Sequence, residues 1–426
     1  MKIALFHNYY KQPGGEDTVF ELEIDALRAH GHTVIPYIVH NSQAFARNSL
    51  SQKIRGALDA PHSQSSQAAI GAFLAQHRPD ISHVHNWFPI LSPSIYTAHN
   101  HAGIPVVQTL HNYRLSCAAA THYRNDECCH ACRPGNNLPA LRHRCYNNSA
   151  AGSFVWKRIM DRGWKQGTFA NQVSHYISPS DGVRLKHIDM GVPADKITHI
   201  PNACPDPQDI PELDKQLLNP HQQNICFVGR LVPEKGAHIL IRAWQQISTT
   251  LRSNRQLTII GGGPQEAILH ELARGDESIQ LTGQLSRHQT LSTIKQADLL
   301  VCPSLWKEPF GLSVIEAMGA GIPVISSNIG GPAEIISDGI DGYLLPPGDI
   351  SALSHMLSDC LNDRDGLKVK GRAARLKYTQ RYTAQQHAQL LTQCFQRVLT
   401  LAQNRIATST AAAALPTSAL ALTPSP

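Results

Sequence analysis

The chain has 426 residues, 42% hydrophobic, 16% charged and 6% aromatic, and a formal net charge of +6 from 38 basic and 32 acidic residues. That length exceeds one ordinary core and calls for two domains, and the composition excludes disordered and fibrous classes. No apolar run approaches the ~18 residues that span a bilayer, and the mild positive charge suits anionic ligands or an anionic membrane without calling for nucleic acid.

The opening "MKIALFHNYY" reads as a buried first strand and not as a signal peptide, since a single lysine precedes only four apolar residues. The ten cysteines are then expected in the reducing cytoplasm, as thiols or metal ligands. Short apolar runs predict strands at 3–6, 33–39, 81–84, 105–110 and 174–177, and a second series at 225–228, 257–260, 298–302, 323–326 and 342–345. Amphipathic segments fill the gaps, such as 18–30, which stops at Gly31. This alternation means α/β architecture with parallel sheets covered on both faces, and two series mean two Rossmann-like doubly wound domains. The first spans 1–202. A Pro/Asp/Gln-rich linker follows at 203–222, then the second domain at 223–380. An amphipathic helix at 381–403 and an Ala/Thr/Ser/Pro tail at 404–426, expected to be disordered, complete the chain. Ligands of such sheets sit at the carboxyl ends of strands, so the site is expected in the cleft between domains.

The motifs fall just after strands. "QPGGED", Gln12 to Asp17, offers Gly14 and Gly15 for close backbone approach to phosphate, with Asp17 as cap of the next helix. "HVHNWF" places His85 and Asn86 after one strand and "QTLHNY" places His111 after another; His111 is the better candidate, because the strand ends directly at it. "VGRLVPEKG" turns at Gly229 and presents Arg230 and Lys235, the two strong donors a pyrophosphate needs. "KEPFGLSVIEAMGAG" is predicted as loop to Phe310 and helix thereafter, with free N–H groups at Phe310, Gly311 and Leu312 facing an anion. Glu308 lies in that loop and Glu316 one turn into the helix; each carboxylate can accept two hydrogen bonds from a vicinal diol. Two acids flanking an anion site describe a nucleotide sugar. "IIGGGPQE" lacks the third glycine of a dinucleotide fingerprint and has no following acid for an adenosine ribose, which argues against an oxidoreductase.

Two further stretches carry open alternatives. Cys129 and Cys132 have C-x-x-C spacing, and Cys117 and Cys145 complete a four-sulfur zinc site if one forms; with a single pair the pattern is half a signature, and Cys128 stands beside it. "FVWKRIMDRGWK", Phe154 to Lys165, reads either as a basic amphipathic helix on an anionic membrane or as a core-facing helix with solvated cations.

With these residues assembled, the chain resembles the retaining nucleotide-sugar glycosyltransferases of family 4, which have the GT-B fold. The resemblance runs from "GGED" to "GYLLPPGD" and is most specific in "EPFGLSVIEAMGAGIPVISSNIGGPAEII" joined to "GRLVPEKG". "LHNYRLSC" and its cysteines are similar to a subgroup of bacterial surface-polysaccharide assembly. The resemblance implies metal-independent transfer, with no metal among the catalytic groups. Arg230 and Lys235 would bind the donor diphosphate, Glu316 the ribose and Glu308 the transferred sugar. Phe310, Gly311 and Leu312 would give backbone donors, Gly15 would face the diphosphate, and His111 would touch the sugar near its reacting carbon. Gln284 and Leu285 would line the base pocket. The implied acceptor is a glycan or lipid-linked oligosaccharide at the inner membrane face. An epimerase or phosphorylase on the same fold, or a non-catalytic carbohydrate-binding protein, is the rival reading.

Overall fold

The computed structural model describes residues 1–10, 14–41, 50–211, 217–219 and 221–413; Gln12, part of the 203–222 linker and the tail beyond 413 lie outside the described residues. The first sheet takes β1 (Lys2–Tyr9), β2 (Thr33–His40), β3 (Ile81–Val84) and β4 (Val106–Thr109). After a small hairpin, β5 (Tyr123–Arg124) and β6 (Glu127–Cys128), it is completed by β7 (His175–Ser178) and β8 (Ile197–His199). The second sheet holds β9 (Gln223–Val228), β10 (Arg255–Ile260), β11 (Ile279–Gly283), β12 (Leu299–Cys302), β13 (Val324–Ser327) and β14 (Gly342–Leu345). Every pairing within the two sheets is parallel, in the orders β2-β1-β3-β4-β7-β8 and β11-β10-β9-β12-β13-β14. These are doubly wound sheets whose strand order reverses at β1/β3 and at β9/β12, the places where such folds bind ligands.

Registers keep the apolar runs together: Ile3 opposes Val34 and Ile81, and Ile225 opposes Leu257 and Leu299. Helices cover both faces, and the central strands are buried throughout. The terminal helix, Ala384–Ala413, runs past the expected end at 403. It does not cap the second domain. Ala388, Leu391, Phe395 and Val398 pack with Ile3, Leu5, Phe20 and Leu27 of the first domain. The linker is pinned where it begins: Arg375 grips Asp206 with two bonds of 2.6 and 2.7 Å, and the Tyr378 hydroxyl donates to the Cys204 carbonyl at 3.0 Å.

The helix at Ala150–Lys165 settles one alternative. Trp156, Ile159 and Met160 are buried, and the Trp156 indole donates to the Arg114 carbonyl at 2.9 Å. The apolar stripe therefore faces the core, with Phe154 its exposed large residue. Among the described residues, no helix is long and apolar enough to cross a membrane.

Candidate functional site

In the second domain the predicted groups converge at the β9/β12 switch. The turn after β9 places Lys235 at the end of a 3₁₀ turn, Pro233–Lys235. Its Nζ lies 2.9 Å from Glu308 Oε1, on the loop after β12, and 5.9 Å from the Trp306 ring centroid. Glu308 is buried and also accepts from the Ser304 hydroxyl. The two residues, expected as separate donor contacts, are thus one ion pair. Arg230 is exposed beside them.

The helix Leu312–Ala320 begins one residue later than expected, because Gly311 is its N-cap with a φ of 113°, which fits a residue without Cβ. Phe310 is buried against Tyr382, with ring centroids 6.2 Å apart, so its backbone rather than its ring faces the cleft. The loop is held from behind by "GGPAE". Gly331 N–H donates to the Glu308 carbonyl at 2.8 Å, and a Cβ at Gly331 would stand 2.3 Å from the Phe310 carbonyl oxygen. Glu316 is buried and paired with Arg287, a partner the sequence reading did not foresee. Gln284 is exposed next to Gly262, and Leu285 is half-buried beyond it. The glycine run at 261–263 packs backbone on backbone: a Cβ at Gly261 would lie 1.9 Å from the Gly229 carbonyl oxygen.

The first domain brings its glycine loop to this place. Gly14 is the N-cap of the helix Gly15–Ala29, which starts three residues earlier than expected. Asp17 is therefore not the cap but the third helical residue; it accepts from Gly14 N–H at 2.8 Å and pairs with buried His7 at 2.7 Å. A Cβ at Gly15 would sit 2.7 Å from Leu312 Cδ1, so the domains touch where the two predicted anion loops meet. Glu16, overlooked in the sequence, accepts from Asn112 at 3.0 Å. Burial pushes its carboxyl up to about 8, the Asp17 charge adding, while Arg114, the Asn112 bond and Arg230 hold it back. A second bridge joins the domains: the Glu334 carboxylate accepts from Asp181 and Gly182 N–H at 2.7 and 2.8 Å, at the start of the helix Asp181–Asp189.

His111 follows β4, half-buried. Burial, then the neighbouring His85, keeps it neutral well below the ordinary histidine pKa. His85 contacts it at 2.9 Å and is itself packed with His83 around Glu23. Among the described residues these three, Glu23, His83 and His85, are the one group whose ligand atoms lie within 4.8 Å of one another, a spacing a metal ion can bridge. The cysteines do not reach that spacing. Even so, burial and then the Cys117 charge, with Cys145 and Cys129 adding, raise the Cys132 thiol to about 11, so the four expected ligands are electrostatic neighbours. A cavity of about 840 Å³ lies away from all of these, between the helices Gln64–His77 and Ser94–Ala102, lined in part by His62, Gln67, Arg78 and His101.

The chain matches two family models: Glycosyltransferase Family 4 over residues 13–206 and Glycosyl transferases group 1 over residues 209–381. It is 36% identical over 158 residues to a glycogen synthase of Mycobacterium tuberculosis, covering 36% of this chain and 38% of that one. It is 29% identical over 204 residues to a phosphatidyl-myo-inositol mannosyltransferase of Mycobacterium leprae, covering 48% and 50%. The chain thus spans at most about half the length of these curated relatives, 38% and 50%. Among solved structures, Anabaena HepE in complex with UDP aligns over 93% of this chain and 100% of its own, at TM-score 0.65 and 18% identity. A sucrose-phosphate synthase of Thermosynechococcus elongatus aligns over 94% and 99%, at TM-score 0.67 and 20% identity. Two glycosyltransferase family models thus divide residues 13–381 between them, and the two facing lobes have the GT-B fold.

Proposed function

We propose that the protein is a retaining glycosyltransferase that moves a sugar from a nucleotide-sugar donor to a glycan or lipid-linked acceptor in polysaccharide assembly. The observation that carries this reading is the convergence of Lys235, Glu308 and the Leu312 helix start on Gly15 across the cleft. Cleavage of an anomeric carbon–diphosphate bond builds charge on the departing phosphate. Arg230, Lys235 and the N–H groups of 310–312 stabilise that charge without a metal. Lys235 neutralises Glu308 and Arg287 neutralises Glu316. A bound diphosphate would draw Lys235 toward phosphate and free Glu308 for sugar hydroxyls, while Glu316 takes the ribose. His111 would meet the sugar from the first domain, and Gln284 and Leu285 would edge the base. No side chain stands out as a nucleophile, so a front-face displacement is proposed, the leaving phosphate helping to take the acceptor proton.

The known ligands of similar folds fit this donor: HepE is solved with UDP-glucose. A match to an exopolysaccharide phosphotransferase of Streptomyces coelicolor, 34% identical over 189 residues, supports the polysaccharide setting. For a lipid-linked acceptor, contact with an anionic membrane would rest on cations such as Arg158, Arg162 and Lys165, since the apolar stripe of their helix is in the core. A thermal-shift screen against UDP-, GDP- and dTDP-linked sugars tests the reading. One donor class should raise the melting temperature by mass action, and a flat response to all three would remove it.

A further inference from the structure

The rings beneath His111 decide which of its nitrogens carries the proton. Glu23, on the helix Gly15–Ala29, is 1% exposed. Its Oε2 lies 3.1 Å from His83 Nδ1 and 3.2 Å from His85 Nε2, off the axis of either N–H bond, so both contacts are electrostatic more than directional. Its Oε1 lies 2.9 Å from His387 Nε2 on the terminal helix, and His387 Nδ1 lies 2.8 Å from the Pro201 carbonyl oxygen. Although burial opposes the charge, His85, His83 and His387 hold the Glu23 carboxyl well below its usual range. An ionised carboxylate offers lone pairs and no proton.

A neutral imidazole has one N–H and one lone pair. If His85 Nε2 carried the lone pair instead of the proton, a negative end would lie 3.2 Å from a carboxylate oxygen in a buried place, a repulsion the low local dielectric magnifies. The proton of His85 is therefore on Nε2, and its Nδ1 accepts. His111 Nε2, 2.9 Å from that Nδ1, must then be the donor. His111 Nδ1 is left with a lone pair and without a protein hydrogen bond among the described residues. His83 fits the same logic, since its Nε2 accepts from the Thr109 hydroxyl at 2.7 Å while its Nδ1–H faces Glu23.

We propose that Glu23 is a positioning residue which, through His85, holds His111 as the Nε2–H tautomer, so that His111 Nδ1 meets the donor sugar as an acceptor for a hydroxyl. The sugar in this statement rests on the donor-site reading above; the tautomer does not. A metal held by Glu23, His83 and His85 would impose the reverse, because a metal on His85 Nε2 drives the proton to its Nδ1 and makes His111 donate from Nδ1.

The test is a long-range proton–nitrogen spectrum of the full chain labelled with ¹⁵N-histidine, above the ordinary histidine pKa of about 6.5. The His111 signals, identified by their loss in His111→Asn, are expected to be those of the Nε2–H tautomer. An Nδ1–H pattern overturns the proposal, whatever produces it. In Glu23→Gln the amide can show His85 either its oxygen or its N–H, so the His111 pattern should become mixed and kcat should fall about tenfold. A folded Glu23→Gln protein that keeps one clean Nε2–H pattern also overturns it. Where that variant does not fold, the wild-type spectrum decides alone. Absence of nucleotide-sugar binding would sink the donor reading while leaving the tautomer result standing.

Discussion

The two halves of the cleft are built differently. On the second-domain side the groups come from two short stretches, 229–236 and 302–316, which follow adjacent strands β9 and β12. On the first-domain side, the support under His111 is gathered from Glu23, His83, His85 and His387, with 364 positions between the first and the last. Loops at strand ends present their chemistry in consecutive residues. A buried network crosses the sheet and draws on the first helix, β3 with its end, and the terminal helix, so no window of sequence contains it. What is local can be replaced piecemeal; what is distributed depends on the whole lobe.

That difference is most sharply tested at Lys235. If the second-domain stretches carry donor binding, Lys235→Ala removes a charge-assisted contact worth about 1.5–3 kcal/mol and lowers kcat/KM by roughly one to two orders of magnitude. An unchanged kcat/KM would shift the burden to the first domain. The seam between the halves comes next. Gly15→Ala sets a methyl against Leu312 Cδ1, the far end of a half-buried side chain that can swing aside, so the cost stays near the low end of overpacking, about 1 kcal/mol. Donor affinity measured by calorimetry should drop about five-fold and recover in Gly15→Ala/Leu312→Ala; no recovery would mean that Gly15 acts through its backbone alone. Glu334→Ala removes the bidentate cap on Asp181 and Gly182, an exposed contact worth about 1 kcal/mol. It should widen the cleft in small-angle scattering of the unliganded protein and raise the donor KM a few-fold.

The last effect is read in stability rather than activity and concerns pH. Glu16 has a folded pKa of about 8 against an ordinary 4.5, so the folded state favours its protonated form. Its contribution to stability is complete below pH 4.5 and is lost as pH rises through about 8. Glu16→Gln, which mimics the protonated group, should therefore gain melting temperature over wild type progressively across that window. A constant offset at all pH values would contradict the assignment.

Much of the fold was readable because its strands are apolar runs bounded by glycine or polar turns. The expected strands at 81–84 and 342–345 match β3 and β14 residue for residue, and the others differ by one to three residues at an end. Lys235, Glu308, Gly15 and Leu312 were legible as motif residues and do meet. Their mutual pairing was not legible: that Lys235 and Glu308 neutralise each other follows from the two loops folding side by side. Arg287 and Glu334 were missed because each finds its partner only in the folded chain. Asp17 was misjudged by three positions because a glycine, which no side-chain rule marks, caps the helix. The membrane alternative for the helix at 150–165 arose from a tryptophan-rich stripe that serves equally well as core.

The path of the terminal helix has a consequence for how the chain is made. Ile3, Leu5 and Phe20 leave the ribosome well before the surface that covers them, Ala388 to Val398, has been synthesised. Domains fold as units while synthesis proceeds, so the first lobe must wait with an apolar flank uncovered and Glu23 lacking His387 until the entire second lobe has emerged. The first lobe is thus completed after the second, and a chain halted anywhere before residue 388 would expose a sticky, unfinished face to chaperones and proteases.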